Sequence, residues 1–183
     1  MITVSKRIFD FLFAAVALLL LSWLLVLCVI MASLDTKSFG IFTQKRIGQF
    51  GKAFRIYKIK TLHDQTKEIS GFGKFLRKSK LDELPQLFNI LLGEMSFVGP
   101  RPDIAGYYDL LEGENRKILE LKPGLTSEAS IKYRNEEDIL KNANNPAQYN
   151  DTIIFPDKVK MNLAYYYKNS FWTDIQIILK TIF

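Results

Sequence analysis

The feature that most limits how this chain can fold is an apolar run from Ile8 to Leu34, interrupted only by Asp10, Ser22 and Ser33. As a helix it would extend on the order of 40 Å, at about 1.5 Å per residue. That is enough to cross a hydrocarbon core of roughly 30 Å. It also exceeds the apolar stretch of about 7–15 residues found in secretory signals, so a cleaved signal peptide does not fit. Lys6 and Arg7 precede the run, and Lys37, Lys45 and Arg46 follow it. A spanning helix carries its positive excess on one side. Basic residues at both ends suit a segment that enters the bilayer, bends and leaves by the same face. The residues alone leave both paths open, because a bend in lipid must re-satisfy its backbone polar groups. Asp10 lies one turn after Lys6 and Arg7, where it can pair with them at head-group level.

The remainder, up to residue 183, is the length of one domain. Its charge is unevenly distributed. Lys37 to Lys80 holds twelve Lys or Arg against Asp64 and Glu68, whereas Leu81 to Phe183 holds eleven against fifteen acidic residues. The first block attracts anionic head groups, nucleic acid or phosphorylated substrates. One cysteine, Cys28, and one histidine, His63, exclude an intrachain disulfide and a thiolate or His-cluster metal site. A metal would be held by carboxylates and phosphate, which favours Mg²⁺.

Ile41 to Leu62 reads as β structure, with turn signals at Gly48-Gln49-Phe50-Gly51. In the second strand Lys58 shares a face with Phe54 and Ile56. Two readings stand for it: snorkelling at a membrane surface or a substrate contact. Gly71-Phe72-Gly73 reads as a turn. Ile104 to Leu121 has helical spacing, ended by Lys122-Pro123-Gly124. Leu125 to Ile131 reads as a strand and Asn142 to Asn150 as a polar loop. Val159 to Phe183 reads as one or two amphipathic helices rich in aromatics, closing the core or lying in the membrane interface. The expected fold class is α+β, mostly helical with a small β-hairpin.

The chemistry concentrates in Ser79-Lys80-Leu81-Asp82-Glu83-Leu84-Pro85-Gln86-Leu87. Pro85 lacks an N–H and is best tolerated in a first helical turn, so a helix is expected to start between Ser79 and Asp82. Ser79 with Asp82 is a loose capping box. Asp82 and Glu83 would then sit at the positive end of the helix dipole, beside N–H groups able to hold phosphate. They read either as helix-start residues alone or as a nucleophile beside an anion site. Arg77, five residues upstream of Asp82, can reach the same phosphate. In Ser96-Phe97-Val98-Gly99-Pro100-Arg101-Pro102 the two prolines stiffen the backbone on either side of Arg101. A guanidinium on such a mount suits bidentate phosphate contact; an exposed Arg in a Pro-rich turn is the alternative.

Taken in order, these segments resemble the bacterial sugar transferase family, the monotopic polyprenyl-phosphate phosphoglycosyl transferases. The resemblance begins at Lys6-Arg7-Ile8-Phe9-Asp10 and continues through Phe54 to Leu62. It is strongest from Leu76-Arg77 through Leu81-Asp82-Glu83-Leu84-Pro85-Gln86-Leu87 to Arg101-Pro102. It extends to Lys122-Pro123-Gly124-Leu125-Thr126 and Lys132-Tyr133-Arg134-Asn135-Glu136-Glu137. It implies transfer of a sugar 1-phosphate from a UDP-sugar to polyprenyl phosphate, usually undecaprenyl phosphate, at the cytoplasmic face of the bacterial inner membrane. The implied products are polyprenyl-diphosphate sugar and UMP, in the first membrane step of glycan assembly.

The resemblance also assigns roles. Asp82 is the implied nucleophile, and Glu83 takes a proton from the lipid phosphate or helps Asp82 hold Mg²⁺. Lys58, Arg77 and Arg101 bind phosphate, Arg134 is a further phosphate or nucleotide contact, and Pro100 and Pro102 are positioning residues. It implies the family's minimal catalytic unit, with a re-entrant membrane helix over 1–36 and a cytoplasmic catalytic domain over 37–183 resting on the membrane surface. A long apolar helix also allows homodimers in the membrane. The sequence departs from the family where the usual Ser-Pro helix break is Ser22-Trp23, and where Ile59-Lys60 replaces Phe-Arg. A membrane-tethered nucleic-acid binder would leave Arg101 and the Asp82–Glu83 pair without a role. A non-catalytic scaffold would make Asp82→Asn silent.

Overall fold

The computed structural model of the protein describes residues 4–183. In chain order the elements are α1 (Val4–Thr36), β1 (Ile41–Ile47), β2 (Ala53–Ile59), α2 (Gly71–Lys78), α3 (Gln86–Leu92), β3 (Ser96–Val98), β4 (Gly124–Thr126), α4 (Glu128–Lys132), α5 (Glu136–Lys141), α6 (Pro146–Tyr149), α7 (Phe155–Lys168) and α8 (Phe171–Ile182). Short 3₁₀ segments lie at Gln49–Gly51, Leu81–Glu83, Tyr108–Leu110 and Gly113–Glu120, and a π turn at Asn150–Ile154. The chain is mostly helical, as expected, and among the described residues a second two-stranded sheet, β3 with β4, accompanies the pair β1 with β2.

The apolar run forms α1, a continuous helix through Ser22–Trp23. Without proline there, nothing removes a backbone donor. The Ser22 hydroxyl donates back to the Leu19 carbonyl at 3.1 Å, an arrangement that bends helices only slightly. The buried residues of α1 lie toward its two ends: Asp10 and Ala14 on one side, Cys28, Ala32 and Thr36 on the other. Leu19, Leu20 and Trp23 between them are exposed.

Contacts divide the chain into two compact units. One comprises Arg7–Arg46 and Ala53–Met95; the other comprises residues 4–6, Ile47–Lys52 and Ser96–Phe183.

In the first unit, Cys28 and Ala32 of α1 pack against Ile59 of β2 and Leu76 of α2, with Leu24, Val29, Phe72 and Leu81 around them. Small residues on α1 permit the close approach. At its end the Ser33 hydroxyl donates to the Val29 carbonyl and accepts the Gly40 N–H, both at 2.8 Å, so the chain turns sharply into β1. Ser70 caps α2 by accepting the Gly73 N–H at 2.8 Å, and its own hydroxyl donates to Asp35 at 2.5 Å. Arg7 donates to the carbonyls of Ile90 and Leu91, at 2.6 and 2.7 Å, in the last turn of α3. A cation there suits the negative end of a helix, where the Ile90 carbonyl also accepts the Gly93 N–H at 3.0 Å.

The expected helix start near Ser79 is corrected. Ser79 ends α2, its hydroxyl donating to the carbonyls of Phe75 and Leu76, so no capping box forms. Asp82 and Glu83 lie in the 3₁₀ turn Leu81–Glu83, and α3 begins only at Gln86 after Pro85. Asp82 and Glu83 thus precede a helix of seven residues, which has little dipole to offer.

In the second unit, β3 and β4 pair in parallel, Ser96 opposite Gly124 and Val98 opposite Thr126. The backbones at Gly99 and Gly124 approach so closely that a side chain on either would strike the other segment. One core joins Val98, Leu121, Tyr165 and Ile177; another joins Tyr108, Ile118, Leu119 and Val159. Asp174 of α8 accepts the Tyr165 hydroxyl at 2.5 Å and pairs with Lys6.

Three sequence expectations are corrected in this unit. Ile104–Leu121 is not one helix. Gly106 and Gly113 take positive φ of 103° and 55°, and the segment breaks into two 3₁₀ stretches. Leu125–Ile131 is a strand only to Thr126, because Ser127 accepts the Ser130 N–H and caps α4. The polar stretch Asn142–Asn150 contains α6, capped by Asn145 with Pro146 in its first turn. The amphipathic helices expected near the C-terminus are α7 and α8.

Candidate active site

A cluster of interacting charged groups within one unit surrounds the turn between α2 and α3. Lys80 adopts a left-handed conformation, φ 59°, that breaks the helix and redirects the chain. Its carbonyl accepts the Glu83 N–H at 3.1 Å, closing a tight 3₁₀ turn. Pro85 can follow because it needs no partner for an N–H. Both carboxylates become buried: Asp82 is 8% exposed and Glu83 7%.

Their surroundings differ. Glu83 Oε1 accepts a hydrogen bond from Lys58 Nζ of β2 at 2.9 Å. Lys58 turns toward Glu83, as a buried carboxylate requires a cation. Asp82 Oδ1 is buried and has no hydrogen-bond partner among the described residues. Burial, and then the negative charge of Glu83, push the Asp82 carboxyl above the usual carboxylate range; Lys58, Lys80 and Arg77 pull it the other way. A buried carboxylate oxygen with nothing to accept is unusual, and in native structures it marks strain, catalysis or an absent ion.

Arg77 comes from the last turn of α2, its Nε donating to the Thr61 hydroxyl at 3.0 Å. Gly73, one turn earlier, explains how α2 comes so close. A Cβ at Gly73 would lie 2.6 Å from the Thr61 carbonyl oxygen. Lys60 pairs with Asp64 at 2.6 Å, a local surface bridge.

The structure therefore brings Asp82, Glu83, Lys58 and Arg77 together in one unit. Arg101, Arg134, Pro100 and Pro102 belong to the other. There Arg101 is half-buried between its prolines. The Gly124 N–H donates to the Pro100 carbonyl and the Ile47 N–H to the Asp103 carbonyl, both at 2.8 Å, so the mount is tied on both sides. Arg134 is exposed and donates to the Thr181 carbonyl at 3.2 Å, in the last turn of α8. Sequence reasoning missed Thr61, which orients Arg77. A lone threonine after a strand carries no signal of such a role.

No group of three or more His, Cys, Asp or Glu able to hold a metal occurs among the described residues. Asp82 and Glu83 nevertheless fit Mg²⁺, which needs only one or two carboxylates when substrate phosphates complete its shell. The unpartnered Asp82 oxygen is the observation in favour.

The model of the bacterial sugar transferase family matches residues 1–183. The chain is 34% identical to a UDP-glucose:undecaprenyl-phosphate glucose-1-phosphate transferase of Escherichia coli, covering 97% of this chain and 39% of that protein. It is 32% identical to a UDP-N-acetylgalactosamine-undecaprenyl-phosphate N-acetylgalactosaminephosphotransferase of Aeromonas hydrophila, over 97% of this chain and 42% of that protein. It is 30% identical to a sugar transferase of Bacillus subtilis named EpsL, over 98% of this chain and 86% of that protein. The chain thus spans about two fifths of the length of the first two.

Proposed function

Since the chain belongs to the bacterial sugar transferase family, we propose that it transfers a sugar 1-phosphate from a UDP-sugar to undecaprenyl phosphate, releasing UMP, and so begins assembly of a membrane-linked glycan. The observation that carries this reading is the Asp82 carboxylate, buried beside cations with one oxygen accepting nothing. That oxygen attacks the phosphorus bearing the sugar. The bond to the UMP oxygen breaks, and the sugar phosphate becomes an acyl phosphate on Asp82. The oxygen of the lipid phosphate then attacks the same phosphorus. The acyl-phosphate bond breaks, giving the diphosphate-linked sugar and restoring the carboxylate. A carboxylate nucleophile divides one difficult displacement into two.

Glu83, paired with Lys58, accepts the proton of the lipid phosphate. The remaining donors of Lys58 face the transferred phosphate, as does the guanidinium of Arg77. Phosphoryl transfer demands chiefly alignment and charge neutralisation. Mg²⁺, bound by Asp82 and Glu83 with the diphosphate, would neutralise developing charge.

The location that follows is the cytoplasmic face of the inner membrane, with α1 re-entrant and residues 37–183 resting on the lipid. Support comes from α1 itself. Arg7 near its start and Cys28 and Ala32 near its end all engage the same unit, while its exposed apolar middle does not. The test is incubation of nanodisc-held protein with Mg²⁺ and a UDP-sugar labelled in the sugar, without acceptor. UMP release with label on Asp82 is expected. No UMP release with any of a panel of UDP-sugars, or release undiminished in Asp82→Asn, overturns the reading.

A further inference from the structure

Asn89, in the middle of α3, is fully buried, yet packing alone would favour an apolar side chain there. Its amide makes three hydrogen bonds within its own unit. Nδ2 donates to the Arg55 carbonyl and to Glu94, both at 2.7 Å, and Oδ1 accepts the Tyr57 N–H at 3.2 Å. The first and last are informative together. In an extended strand the carbonyl of residue 55 and the N–H of residue 57 point to the same side, flanking Ile56. In a parallel ladder one residue of the neighbouring strand takes both. The Asn89 amide stands in for that residue on β2. Glu94 accepts the second amide hydrogen, which fixes the orientation of the group and uses all of its donors. The result is a helix side chain that fixes β2 at Ile56.

Side chains alternate along a strand, so Ile56 and Lys58 share a face. Glu83 precedes Asn89 by six residues. With Ile56 pinned opposite Asn89, Lys58 falls one pleat further along, where it meets Glu83. A slip of one residue would turn Lys58 to the opposite face. We infer that Asn89 is a positioning residue for sugar-phosphate transfer: it locks β2 against α3 so that Lys58 reaches Glu83 beside the nucleophile. This rests on the transferase reading above. Asn89 bonds to neither Asp82 nor Glu83 and acts through Lys58.

The test compares Asn89→Leu, Lys58→Met and the double variant in nanodiscs, following UMP release in the presence of undecaprenyl phosphate. Asn89→Leu is expected to lower kcat about 100-fold, the size of loss that a displacement of about 1 Å produces. KM for the UDP-sugar should stay within about threefold, since donor binding is not removed. The double variant should be within about twofold of Lys58→Met alone, because residues acting through one contact do not add. Losses that multiply in the double variant overturn the inference, as does wild-type turnover by Asn89→Leu. Should that variant not fold, Asn89→Ser, whose shorter side chain leaves room for water, carries the same comparison. Absence of UMP release from the wild type overturns instead the transferase reading itself, so the two failures are distinguishable.

Discussion

Replacing Lys58 by Met keeps most of the length of the side chain and removes its charge. The Lys58–Glu83 contact is 2.9 Å, and the side chains are 20% and 9% exposed. At an effective dielectric of about 20 the gross attraction at that distance is about 6 kcal/mol. Most of it is offset by desolvation of both ions. What the variant measures is the cost of leaving Glu83 buried and unneutralised next to Asp82. For a fully buried pair that cost is about 3–5 kcal/mol, and the partial exposure of Lys58 lowers the expectation to about 2–3 kcal/mol. At roughly 2–4 °C per kcal/mol for a chain of this size, Tm should fall by about 5–10 °C. Scanning fluorimetry of nanodisc-held protein reads the shift. The same change removes a cation that pulls the Asp82 carboxyl down, leaving burial and Glu83 less opposed. The acid limb of UMP release should therefore move to higher pH. Lys58→Met/Glu83→Gln should recover most of the lost Tm, since no buried charge is left unpaired, while remaining impaired in transfer. A Lys58→Met protein that melts within about 1 °C of wild type at neutral pH, with an unmoved acid limb, would refute the reasoning.

Three further outcomes follow from the same geometry. The Asp82 carboxyl is raised in the folded state, so its contribution to stability is present below the unfolded value, about 3.9, and is lost as pH rises through the folded one. Asp82→Asn should abolish labelling yet melt above wild type at neutral pH, the gap closing as pH falls through that window; a gap that widens would contradict it. Gly73→Ala should cost about 1–3 kcal/mol by overpacking against the Thr61 carbonyl and should weaken transfer by displacing Arg77, read by Tm and UMP release. In a Cys28→Ser background, cysteines placed at Ser5 and at Ser38 should both react with an impermeant reagent from the cytoplasmic side of inverted vesicles; reaction of Ser5→Cys only from the opposite side would mean that α1 spans.

The sequence by itself determined the long helix, the hairpin and the Asp82–Glu83 motif. Each is written in local terms that any window of the chain displays: an unbroken apolar run, alternation around a glycine turn, two carboxylates before a proline. It misplaced the helix start at Ser79. Pro85 is compatible with several positions near a helix N-terminus, and only the left-handed Lys80 and the packing of Leu76 and Leu81 decide that α2 ends and a 3₁₀ turn intervenes. It likewise read Ile104–Leu121 as a helix, because apolar spacing persists across Gly106 and Gly113 while the backbone does not.

What only the tertiary structure decided is pairing across distance. Lys58 and Glu83 are 25 residues apart and Arg77 and Thr61 16 apart, and β3 finds β4 across the whole segment between them. The physical reason is that periodicity reports which side of an element is buried but not against what. Asn89 shows the limit most plainly. As a polar residue in an apolar helix it is visible in the chain, yet its meaning lies in the two backbone groups of β2 that it answers, and those are assigned to it only by folding.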